Sequence, residues 1–290
     1  MSPWKQLTLS AYYGASLPWR NWRMQQMCEA GRAPLMVIFY HRVADTAPNA
    51  WTISNREFER QIDWMRGRFD LISLYETQRR LRIGRNHRPS VAITFDDGYA
   101  DNCEFALPLL VRHRIPCTYF VASRHVIENQ PFPHDLKAGT PLPVNTVEQI
   151  RALAASGVEI GAHTRTHPDL GRISSESRMR EEIVDSGKEL SDLVGKAIRY
   201  FAFPYGLPQN LTPGAFRIAC EAGYEGVVTA YGGYNFPGED DFHLQRIHAD
   251  PEMIRLRNWL TYDPRKAASI RRYEYSCPTR RTVNELQEVV

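Results

Sequence analysis

Short apolar or β-branched runs recur along the chain at 35–43, 90–98, 117–122, 158–164, 198–206, 225–230 and 244–249, giving seven strand candidates. Helix-like stretches separate them at 55–69, 100–113, 145–157, 174–195 and 211–223. In the fourth, Met179, Ile183, Leu190 and Val194 repeat at near-helical spacing, and Ser174 or Ser175 is available as N-cap. Strands that alternate with helices imply parallel pairing through right-handed crossovers. Seven such units predict a closed or partly closed α/β barrel. Residues 124–145 hold four prolines and one glycine without a period and predict a long loop at the strand-end side.

The ends of the chain read differently. Residues 1–34 form an N-terminal amphipathic arm in which Trp4, Tyr12, Tyr13, Trp19 and Trp22 are interleaved with Lys5, Arg20 and Arg23. Two readings stand for residues 1–30: a helix in peripheral contact with a membrane interface, or an arm packed on the domain. Residues 35–262 form the barrel domain, and 263–290 a polar, basic tail expected to be partly disordered.

Composition narrows the function. At 290 residues one large domain suffices, and 43% hydrophobic with 24% charged residues describes an ordinary globular protein. A formal charge of +3 is too small for an electrostatic nucleic-acid footprint. Five cysteines without a CxxC pair indicate neither a disulfide framework nor a thiolate zinc site, so a reducing, cytoplasmic setting is expected, with association at a membrane as the variant. The N-terminus lacks the continuous apolar core of a secretory signal, since Gln6, Thr8 and Ser10 interrupt it.

In a parallel barrel the catalytic groups gather where strands end. Three polar groups fall there: Asp96 and Asp97 after the second strand, His163 to His167 after the fourth, and Phe203 to Gly206 after the fifth. Two histidines four apart suit one face of a helical turn. With one carboxylate they make a metal set that leaves positions for water and substrate. A cation would also explain the adjacent aspartates, because one is neutralised as a ligand and the other stays ionised as a base.

These motifs, TFDDG at 94–98, HTRTH at 163–167 and FAFPYG at 201–206, resemble those of the polysaccharide deacetylases, the NodB-homology carbohydrate esterases of family 4, over about residues 35–250. The resemblance implies an irregular (β/α)7 barrel and a divalent metal, zinc first, with cobalt and nickel as alternatives. It implies Asp96 as general base, Asp97, His163 and His167 as ligands, and the backbone N–H of Tyr205 as an oxyanion donor. The expected partner is an N-acetylated glycan that loses its acetyl group. Alternatives are a hydrolase of other non-peptide C–N bonds, such as a deformylase, and a catalytically inactive carbohydrate-binding relative.

Two departures remain. The family's third motif often carries an arginine that orients the base, and here Ala202 or Phe203 stands in its place, leaving Arg165 and Arg246 as substitutes. The late general-acid motif has no Asp-Trp pair, and His248 is the residue suitably placed. Strand alternation leaves open whether His248 or Ile247 faces the barrel interior.

Overall fold

A computed structural model describes residues 2–249, 251–269 and 271–277. All seven expected strands are present: β1 Leu35–Tyr40, β2 Ser90–Phe95, β3 Cys117–Val121, β4 Glu159–Ala162, β5 Tyr200–Ala202, β6 Gly226–Val228, and a last one in two pieces, β7 His243–Leu244 and β8 Arg246–His248. Every pairing among them is parallel, in the order β7-β6-β5-β4-β3-β2-β1-β8. Residues 243–248 therefore touch both edges and nearly close the sheet into a barrel. The break at Gln245 is filled by Asn235, whose side chain accepts the Gln245 N–H at 2.9 Å and donates to its carbonyl at 3.0 Å.

Alternation sorts the strand residues into two cores. Leu35, Val37, Ala92, Phe120, Tyr200, Ala202, Val228 and Leu244 fill the interior. Met36, Ile38, Val91, Ile93, Tyr119, Ile160, Phe201, Val227 and Ile247 face the helices. Ile247 thus belongs to the outer layer, and its neighbours Arg246 and His248 belong to the interior side, which resolves the alternation question.

Three sequence expectations need correction, and that of a partly disordered tail is not tested by the described residues. Helices Leu74–Ile83 and Met253–Leu260 were not anticipated; in the first, Arg79, Arg80, Arg82 and Glu76 hide the period, and buried Gln78 lies on the inner face, accepting the Tyr200 hydroxyl at 2.8 Å. The 124–145 segment contains two short helices, Ser123–Glu128 and Pro133–Lys137. The described part of the tail is ordered against the barrel: Tyr273 and Tyr275 stack on Phe216 at 5.4 and 4.3 Å, while 278–290 lie outside the described residues. Finally, Cys220 and Cys277 form a disulfide with Cα atoms 5.9 Å apart, which removes the cysteine-based ground for a reducing setting.

The N-terminal arm is one helix, α1 Pro3–Glu29, capped by Ser2. Its inner face is fastened by Arg20, fully buried, which donates to the Asn258 carbonyl at 3.0 Å and side chain at 2.8 Å. Its outer face leaves Trp4 77%, Leu7 61%, Trp19 45% and Trp22 55% exposed. No helix among the described residues is long and apolar enough to cross a membrane.

Candidate active site

The two adjacent aspartates do not confront each other. Asp96 continues the β2 ladder through its N–H to the Tyr40 carbonyl at 2.9 Å, so its side chain turns inward like that of Thr94. Asp97 then adopts a positive φ of 75°, which aspartate tolerates better than most residues, and its carboxylate meets His163 and His167. Gly98 follows at φ 97°, with Val121 so close that a Cβ would crowd it at 3.3 Å.

Asp97 Oδ1 lies 3.4 Å from His163 Nε2 and 3.2 Å from His167 Nε2. The three side chains can offer one donor atom each within 4.8 Å of one another. His163 Nδ1 donates to the Ala202 carbonyl at 2.8 Å, which in the neutral ring leaves a lone pair on Nε2 aimed at Asp97. Asp97 Oδ1 is buried and without a hydrogen-bond partner among the described residues. Three potential ligand atoms converging in this way suit a cation. Burial opposes a charge on His163, yet the carboxylates of Asp97 and Asp96 outweigh it and raise its proton affinity, so the site draws positive charge. Burial likewise opposes the charge on Asp97, but His163 and His167 hold its pKa well below the carboxylate range.

The histidine turn is not the helical turn that the spacing suggested. Thr164 and His167 have φ of 61° and 58°, and the backbone doubles back to bring both rings to one side. The His167 ring sits between those of Phe132 and Tyr205, each 5.3 Å away.

Arg246 supplies the missing arginine. Its Nη1 and Nη2 donate to Asp96 Oδ1 and Oδ2 at 2.6 and 2.8 Å, a fully buried bidentate pair, and its guanidinium lies over the Phe39 ring at 4.6 Å. Arg165 is occupied elsewhere, with Glu189 at 2.7 Å and Glu181 at 2.5 Å. Desolvation pushes the Asp96 pKa up, but Arg246, followed by His163, brings it below the ordinary value. A carboxylate so held stays ionised at neutral pH.

His248 stands on the same rim, its ring 5.1 Å from Phe39 and 6.0 Å from His41. His41, which follows β1, has a buried Nδ1 without a partner among the described residues and a ring 5.4 Å from exposed Trp51. Tyr205 adopts φ 60°, and its backbone N–H donates to no group among the described residues. In the 124–145 segment, His134 comes within 6.3 Å of the His167 ring, while buried Asp135 accepts the Tyr99 hydroxyl at 2.9 Å. Sequence reasoning missed Glu182, which anchors the histidine turn; within a run of charged residues it reads as one more solvated side chain.

A parallel barrel with an Asp-His-His cluster and a clamped second aspartate on its rim is an arrangement suited to hydrolysis. The profile of the polysaccharide deacetylase family matches residues 83–227, half of the chain, and the chain belongs to that family. It is a hydrolase of non-peptide carbon–nitrogen bonds. Among relatives, it is 25% identical over 224 residues to the putative polysaccharide deacetylase YxkH of Bacillus subtilis (strain 168), covering 76% of this chain and 73% of that one. It is 33% identical over 120 residues to the chitooligosaccharide deacetylase of Bradyrhizobium sp. (strain ANU 289), covering 41% and 47%. The structure of IcaB from Ammonifex degensii superposes with a TM-score of 0.66 at 27% identity, covering 79% of this chain and 98% of that one.

Proposed function

We propose that the chain removes the acetyl group from N-acetylated amino sugars within an oligo- or polysaccharide, using a divalent metal, most simply zinc, held by Asp97, His163 and His167. The convergence of these three ligand atoms beside an aspartate held ionised by Arg246 carries the reading. When bound, the metal supplies Lewis acidity toward the amide carbonyl and the attacking water.

The residues of the chain do the rest. Asp96 accepts a proton from the attacking water, whose oxygen bonds to the acetyl carbon. The N–H of Tyr205 donates to the oxygen that gains charge, a contribution of about 3–4 kcal/mol for one well-placed donor. His248 passes a proton to the departing nitrogen, the C–N bond breaks, and acetate and a free amine result. The test is release of acetate, with an equal quantity of amine, from N-acetylglucosamine oligomers. Turnover of small amides or formyl compounds without sugars would favour the other C–N hydrolase, and sugar binding without turnover an inactive relative.

For α1 we propose a peripheral membrane contact through the outward tryptophans, since rigid display of three such rings on one helix face is costly in water and suits a headgroup region. Deleting the helix would remove Arg20 and strand the buried Asn258 groups that it satisfies, so substitution is the cleaner probe. Changing Trp4, Trp19 and Trp22 together to serine should abolish sedimentation with anionic liposomes and leave the thermal midpoint unchanged. Wild-type protein that does not sediment would refute the contact.

A further inference from the structure

The backbone of the histidine turn runs through two left-handed residues, Thr164 and His167, and two of its N–H groups, those of Arg165 and Thr166, are turned away from the strands. Both are taken by one buried carboxylate. Glu182 Oε2 accepts the Arg165 N–H at 3.0 Å and the Thr166 N–H at 2.8 Å, and its Oε1 accepts the Thr166 hydroxyl at 2.5 Å. One turn further along, Ser186 donates to the Thr164 carbonyl at 2.8 Å. Both of these N–H groups and the Thr164 carbonyl are thus tied to the helical run 176–194, while the Arg165 carbonyl accepts the Arg124 N–H at 2.9 Å.

Glu182 lies in a π-helical turn, Glu181–Asp185, inserted between the α-helical pieces Glu176–Arg180 and Ser186–Val194. Such turns are rare, weaken the hydrogen-bond ladder and collect at functional sites. The turn is supported from the other side. The Ile183 carbonyl accepts the Tyr224 hydroxyl at 2.7 Å, and that hydroxyl has room only because residue 187 is glycine, where a Cβ would collide with it. An unusual helix turn with its own support, a glycine that makes room for it and a buried acid at its centre together favour a dedicated device over incidental packing.

We propose that Glu182 is a positioning residue for the metal centre: its carboxylate fixes the turn so that His163 and His167 present their Nε2 atoms to Asp97 before any metal arrives. The inference rests on the reading of those three residues as ligands. A carboxylate fits the task because both of its oxygens only accept. Preorganisation lowers the cost of gathering ligands, and outer partners of metal ligands typically account for about 10- to 100-fold in affinity.

The test is the zinc dissociation constant of the full chain, measured by competition with a chromophoric chelator, for wild type, Glu182→Ala and Glu182→Gln. Glu182→Ala is expected to bind zinc about 10- to 100-fold more weakly. Glu182→Gln should lose less, because its one carbonyl oxygen can still accept the two N–H groups. At saturating zinc kcat should return toward the wild-type value, which a general loss of structure would not allow. Circular dichroism without zinc reports whether each variant folds, and if the alanine variant does not, the glutamine variant decides. Unchanged zinc affinity in folded variants overturns the proposal. Failure of the wild type to bind zinc overturns the metal reading first, and this inference with it.

Discussion

Asp97→Asn should yield a folded protein that has lost its metal and its turnover together. Asparagine also tolerates the positive φ of 75° at this position, so the substitution removes charge while sparing the backbone, which alanine would strain by about 1–2 kcal/mol. What remains is a pair of imidazoles, each held in place by something other than Asp97: His163 by the Ala202 carbonyl, His167 by the rings of Phe132 and Tyr205. Without the carboxylate nothing in the ligand set offsets a dication, and the loss should exceed the roughly 10- to 100-fold typical of outer partners. His163→Ala and His167→Ala should follow the same course. Elemental analysis of the three purified variants, set beside acetate release, is the measurement. Full occupancy in all three would sink the ligand assignment.

The site was legible in sequence wherever chemistry and strand ends coincide. Asp96, Asp97, His163, His167 and His248 all occupy the rim because each follows or ends an apolar run, and a parallel barrel brings such ends together whatever their separation in the chain. The path of the backbone between them was not legible. The spacing of His163 and His167 suits a helix, yet the turn is non-helical, held by Glu182 sixteen and seventeen residues away, and no local pattern announces a partner at that distance. Arg246 was one of two substitutes for the missing arginine; the choice depended on which face of its strand it occupies, fixed by the register Val37 to Arg246. The Cys220–Cys277 bond escaped for a similar reason, since 57 residues separate its ends and pairing depends on where the tail folds back. The helix at Leu74–Ile83 escaped because its inner face uses Thr77 and Gln78 beside Leu74 and Leu81, so the apolar period falls below notice.

Asp96→Asn and His248→Ala should both keep the metal and both lose about two to four orders of magnitude in rate, the usual span for a general base or acid. Their pH behaviour should differ. A general acid must carry its proton when the step begins, so activity falls as pH rises through its titration; removing His248 should flatten that alkaline limb, whereas Asp96→Asn should lower the rate and leave the limb in place. Asp96→Asn also strands the Arg246 guanidinium, and breaking a buried pair on one side commonly costs about 3–5 kcal/mol. Lost rate and lost stability must therefore be separated. The double variant Asp96→Asn with Arg246→Gln removes the stranded charge, so it should regain thermal stability while remaining slow. If instead the double variant recovers its rate, Asp96 matters for folding and not as a base. Metal content guards the remaining assumption: should Asp96→Asn lose the metal while Asp97→Asn keeps it, the two aspartates have exchanged roles. Should His248→Ala turn over at near wild-type rate with its alkaline limb intact, the proton for the departing amine comes from elsewhere, and Asp96, already carrying the proton taken from water, is the group on the rim in position to return it.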